Sequence, residues 1–150
     1  MKFFKQRAGR AICLALVTVF AAFATFAACD KKEENDNVIK TDENSVVISP
    51  SSDVLELTAT TTLAEYLDAL AEKGDFEYVM ENGMVISING LAQDAENGKY
   101  WMLYTSDEDK SNSAWGIAEH EGKRYGSAAE GASTLVIKAG ELYIWCYQGF

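Results

Sequence analysis

The segment ELYIWCY, Glu141–Tyr147, is apolar on both sides of a β-strand. Successive strand side chains point to opposite faces. Leu142, Ile144 and Cys146 therefore share one face, and Tyr143, Trp145 and Tyr147 the other. Both faces want cover, so the chain has to place a layer on each side of this strand. One predicted helix covers one face only. The aromatic face then meets a second layer of the same chain, a partner or a ligand.

The helix is TTLAEYLDALAEKG. Thr62 with Glu65 forms a capping box. Leu63, Tyr66, Leu67 and Leu70 recur at helical spacing as one apolar stripe. Lys73 in the last turn suits the helix dipole, and Gly74 is placed to end the element. The spacing predicts a helix over Thr62–Lys73.

Strand signals surround it. Asp53–Leu57, Phe76–Val79, Met84–Ile88, Tyr100–Thr105, Thr134–Lys138 and Glu141–Tyr147 are short β-type runs. Asn82-Gly83 and Asn89-Gly90 punctuate them as turns, and Ala139-Gly140 is a tight connection. Val46–Ile48 reads as a first edge strand before a turn at Pro50, and residues 106–133 as long loops. One helix with five or six strands predicts an α+β domain, the helix lying on one face of a mixed or antiparallel sheet.

The N-terminal part has another character. Lys2, Lys5, Arg7 and Arg10 precede a run of Ala, Leu, Val, Phe and Thr that ends at Phe26-Ala27-Ala28-Cys29. This is the pattern of a secretory signal peptide. Its ending resembles the bacterial lipobox, in which the cysteine thiol takes a diacylglyceryl group before cleavage. The competing reading is an uncleaved membrane helix, since the apolar run is just long enough to span. The lipobox reading divides the chain into a signal peptide over 1–28, a lipidated Cys29 with a flexible polar tether to residue 52, and a folded domain over 53–150. Acyl chains of the palmitate type would hold the mature protein on the extracytoplasmic face of the cell membrane.

Charge and cysteine use bound the rest. All 23 acidic residues lie after Cys29, against nine of the 13 basic ones, so the mature chain carries −14. Such a surface lacks the cations that neutralise nucleic-acid phosphates. Cys146 is the sole cysteine beyond Cys29, and His120 the sole histidine, which excludes a Cys/His zinc site. DEDKSNSAWGIAE opens like a calcium loop at Asp107, Asp109 and Ser111, but it has Asn112 where that loop needs glycine. It reads as a solvated hairpin tip. No nucleophile elbow, phosphate loop or dinucleotide fingerprint is present. The expectation is a protein without catalytic residues, cofactor or metal.

SINGLAQDAENGKYWMLYTSDE, followed by WGIAEH, resembles the C-terminal domain of the transcobalamin and intrinsic factor family, a domain that small bacterial lipoproteins carry alone. The preceding helix and the closing GELYIWCY fall where that family has its helix and final strand, so the resemblance spans roughly Val54–Tyr147. It implies a β-grasp-like fold of the soluble-ligand-binding type and a corrinoid ligand of the cobalamin kind. In the vitamin carriers the ligand lies between this domain and a helical barrel, and these 150 residues contain no such barrel. By position, Tyr100, Trp101, Leu103, Trp115, Gly116 and Ile117 are implied nearest the ligand. The residues alone leave Trp101 and Leu103 equally open as core on the helix side. Two roles are therefore expected. One is a lipid-anchored capture protein handing a small ligand to a transporter. The other is an interaction module docking on another envelope protein or a glycan.

Overall fold

The computed structural model describes residues 38–42, 44–74 and 76–149. The predicted signal peptide and Cys29 lie outside them. The described chain runs β1 (Val38–Asp42), β2 (Ser45–Ile48), α1 (Leu63–Glu72), β3 (Tyr78–Glu81), β4 (Met84–Ile88), β5 (Leu91–Ala92), β6 (Lys99–Thr105), β7 (Ser111–His120), β8 (Lys123–Ala128) and β9 (Tyr143–Gly149). One sheet has six strands in the order β1-β2-β9-β6-β8-β7, and a second has three in the order β3-β4-β5. Every described strand pairing is antiparallel. The protein is α+β.

Helix α1 starts where its capping box sets it. Thr62 Oγ1 accepts from the Glu65 N–H at 3.3 Å, and Glu65 Oε2 accepts from the Thr62 N–H at 2.7 Å. The next donors are used as well. Leu63 N–H donates to Leu135 O at 2.8 Å and Ala64 N–H to Ala132 O at 2.9 Å. These are helix-start N–H groups that lack partners within the helix. The segment after β8 has taken them up.

That bonding explains one departure from the expected strands. Thr134–Lys138 forms a single bridge, Thr62↔Val136, rather than a strand. Leu135 and Ile137 are buried, but their backbone serves the start of α1 instead of a ladder. Asp53–Leu57 is not a strand either. It begins within a turn closed by Val54 N–H to Ser51 O at 3.2 Å, and its apolar side chains pack half-buried on the core. Lys73 is the C-cap of α1 rather than a last-turn residue, and its Nζ donates to Asp53 O at 3.0 Å.

The N-terminal strands also differ from expectation. Val46, Val47 and Ile48 are buried, and β2 lies inside the six-stranded sheet between β1 and β9. Strands β1 and β2 occupy residues expected to form the flexible tether, so the fold begins before residue 53. Residues 106–133, expected as loops, contain the β7–β8 hairpin. Its Glu121-Gly122 turn has φ of +50° and +74°. The strands themselves, SNSAWGIAEH and KRYGSA, are too polar to show a strand period.

Strand β9 receives the two layers it requires. Tyr143 and Trp145 join Leu63, Tyr66, Leu67 and Leu70 of α1 and Phe76, Val85 and Ile88 in the larger core. Ile144 joins Val47, Tyr104 and Ala118 in a smaller core, with Leu142, Cys146 and Tyr125 packed against it. The aromatic face is thus covered by the chain's own helix. The β7–β8 hairpin supplies Ala118 and Tyr125 to the opposite face.

Candidate functional site

Alternation along β6 decides where the expected ligand residues go. Trp101 and Leu103 point into the larger core, whereas Met102 and Tyr104 belong to the smaller one. Trp101 is the anchor of this arrangement. Its indole N–H donates to Leu91 O at 2.8 Å, giving the polar tip of a buried ring its partner. Its ring also lies 5.3 Å from that of Tyr147.

The chain passes from β5 to β6 through an Asp94-capped turn. Asp94 Oδ1 accepts from the Asn97 N–H at 3.1 Å, and Oδ2 from Asn97 Nδ2 at 2.6 Å. These bonds hold the Asp94 carboxyl below its ordinary pKa.

Between the two sheets lies a cleft of about 440 Å³. Its walls are Tyr100–Leu103 of β6, Gly83–Val85 at the β3–β4 turn, Gln93, and residues 127–132, with Trp145 of β9 also against it. The last wall reads Ser127-Ala128-Ala129-Glu130-Gly131-Ala132. Small side chains opposite Trp101, Leu103 and Trp145 leave volume that larger residues would fill. This run of small residues is the sequence signal for the cleft, and reading it as part of a loop concealed it.

The end of the cleft is closed by backbone contact. A Cβ at Gly131 would lie 2.8 Å from Gly83 O, and a Cβ at Gly83 2.7 Å from Ser133 Oγ. Only glycine at these places lets the hairpin turn come so near. The cleft border offers apolar contact, the Gln93 amide, the Ser127 hydroxyl and one carboxylate, Glu130. Its volume falls within the range of small-ligand pockets.

The other three expected residues lie elsewhere. Trp115, Gly116 and Ile117 belong to β7, where the register with β8 slips between Asn112 and Ile117. Gly116 takes φ +146° and passes over Tyr104, whose hydroxyl a Cβ would approach to 3.3 Å. Tyr104 belongs to the smaller core, so this strand passes the sheet face opposite Trp101 and Leu103. Trp115 is 61% exposed and Ile117 39%. The structure thus brings Tyr100, Trp101 and Leu103 together at the cleft and separates Trp115, Gly116 and Ile117 from them.

Asp107 is not on a solvated hairpin tip. It is buried, its Oδ1 accepts from the Asp109 N–H at 3.2 Å, and its Oδ2 lies 2.8 Å from Lys138 Nζ. The ammonium thus occupies the place beside Asp107 that a cation would need. The contact raises the Lys138 pKa above its ordinary value. Among the described residues no group of three or more His, Cys, Asp or Glu is placed to hold a metal ion, and no helix is long and apolar enough to cross a membrane.

Compared with protein-family models, curated proteins and solved structures, the chain matches none of them.

Proposed function

We propose that this chain is a lipid-anchored protein of the extracytoplasmic membrane face whose domain binds a small, largely apolar ligand without chemically changing it. The observation that carries this reading is the cleft itself, formed where the small residues Ala128, Ala129, Gly131 and Ala132 face Trp101, Leu103 and Trp145. The helix-on-sheet packing of α1 supports treating the domain as a β-grasp-like variant. The lipobox at Cys29 supports the anchor, and the likeness of 87–120 to the vitamin carriers makes a corrinoid the first ligand to try. A ligand of that size would insert one edge into the cleft and present the rest to a transporter or another envelope protein.

Calorimetric titration of residues 30–150 with cobalamin and its base-lacking precursor tests the ligand. Saturable binding weakened by Met84→Gln, at an exposed residue of the cleft border, and unchanged by Trp115→Ala supports the cleft. Loss on Trp115→Ala with no effect of Met84→Gln moves the ligand off it. The anchor has a separate test. Labelled palmitate should be incorporated into the wild-type protein and not into Cys29→Ser, and an unlabelled, membrane-retained wild type would identify an uncleaved helix anchor.

A second reading rests on Trp115 and Ile117, two exposed apolar side chains on the edge strand β7 of the large sheet. On this reading the domain docks on an envelope protein or glycan through β7. Trp115→Ala would then abolish capture of that partner and leave small-ligand binding intact.

A further inference from the structure

The cleft border is uneven in charge. Among the residues that line it there is one carboxylate, Glu130, and no lysine, arginine or histidine. Residues 38–150 carry seven basic and 19 acidic residues, so the surrounding field has the same sign. The ring of the half-buried Tyr100 borders the same space, and ring faces attract cations.

Glu130 does not act alone. Lys110 Nζ lies 2.6 Å from its Oε1, and the two side chains are 31% and 34% exposed. Lys110 is held there by its own backbone, because Ala129 N–H donates to Lys110 O at 2.8 Å. The lysine therefore comes from outside the cleft and partly neutralises the one charge at its border. Removing either partner changes that border in opposite directions.

Resting on the ligand-binding reading above, we infer that the cleft selects a flat apolar ligand with a positively charged head and rejects anionic ones, Glu130 being the selecting residue and Lys110 its attenuator. An anionic head would meet the Glu130 carboxylate and the acidic field, with Lys110, already paired to Glu130, as the neighbouring cation. A cationic head would share the Glu130 carboxylate with Lys110.

Three fluorescent probes of similar flat apolar body test this: aminoacridine (cationic), N-phenylnaphthylamine (neutral) and anilinonaphthalene sulfonate (anionic). They are titrated into the chain from residue 30 onward, which holds the whole described fold, at about 0.15 M salt to screen the distant surface charges. The expected result is saturable binding of the cation and the neutral probe and none of the anion. Glu130→Gln should weaken the cation roughly threefold to fivefold, the scale of a part-exposed ion pair, and leave the neutral probe unchanged. Lys110→Met should strengthen the cation by a similar factor. Equal binding of cation and anion, or equal loss of all three probes in Glu130→Gln, overturns the charge selection while leaving the cleft reading in place. No saturable binding of any probe overturns both.

Discussion

The indole N–H of Trp101 and the carbonyl of Leu91 meet at 2.8 Å, joining the six-stranded sheet to the three-stranded one. No ladder connects the two sheets in their strand orders, so this bond and the shared apolar core hold them together. Replacing Trp101 with Phe keeps a large apolar ring and deletes the donor. A loss of about 1–2 kcal/mol is expected, because the Leu91 carbonyl loses its partner. Denaturant unfolding measures it, and an unchanged midpoint would show that the bond does not brace the sheets.

The start of α1 depends on Thr62. Thr62→Ala should lower stability by about 1 kcal/mol. It should also make the acid limb of the stability curve slightly shallower, because the hydroxyl's bond to the Glu65 carboxylate is lost while the backbone N–H bond remains. The Thr62 backbone N–H, followed by its hydroxyl, holds the Glu65 carboxyl below its ordinary pKa. A depressed carboxyl contributes stability that is present above the unfolded pKa and lost as pH falls through the folded one. Unfolding midpoints of wild type and variant should converge on acidification, and parallel curves would contradict the coupling.

Gly131 and Gly83 set the closed end of the cleft. Gly131→Ala places a methyl group 2.8 Å from a backbone oxygen, which a side-chain rotation cannot relieve. Overpacking of this kind costs about 1–3 kcal/mol. Thermal unfolding should show the drop, with smaller changes at Gly90, where an added Cβ meets nothing within 4 Å but φ is +82°.

Four tyrosines predict the alkaline limit. Burial raises the pKa of Tyr66, Tyr78, Tyr104 and Tyr143, with the hydrogen bond to Asp68 adding to the shift at Tyr78. The hydroxyls of Tyr66, Tyr104 and Tyr143 accept from Ser51 N–H at 3.0 Å, Gln148 Nε2 at 2.6 Å and Lys138 N–H at 3.1 Å. Raised groups contribute stability that is complete below the unfolded value near pH 10, and it disappears as pH climbs through the folded values. Tyrosinate absorbance should therefore rise in two stages, exposed rings first and these four with unfolding. A single stage near pH 10 would contradict their burial.

Much of this architecture was legible because its signals are local. The capping box of Thr62 and Glu65, the stripe Leu63-Tyr66-Leu67-Leu70 and the Asn-Gly turns each act within a few residues. So does the double-sided strand at β9. What escaped depends on distant partners. Leu135 and Ile137 have strand-like composition, but the unfilled donors at the start of α1 claim their backbone. Strands β7 and β8 are rich in polar residues, and β7 is the edge strand of the sheet, so neither shows an alternating apolar period. The cleft was legible only as a run of alanine and glycine, whose meaning comes from the indoles opposite. Of the six residues transferred by position, three line the cleft, and strand alternation with the β7 bulge places the other three on another face.

Strand β2 pairs with β9 so that Val46 lies opposite Trp145, about a hundred residues later in the chain. Synthesis delivers β2 well before β9. Until Tyr143–Gly149 emerges, β2 has no inner neighbour and β6 lacks the strand that joins it to the N-terminal side of the sheet. The sheet therefore completes only after β9 has emerged. Loss of the C-terminal strand would leave two separate half-sheets with raw edges, turning a small truncation into a failure of assembly.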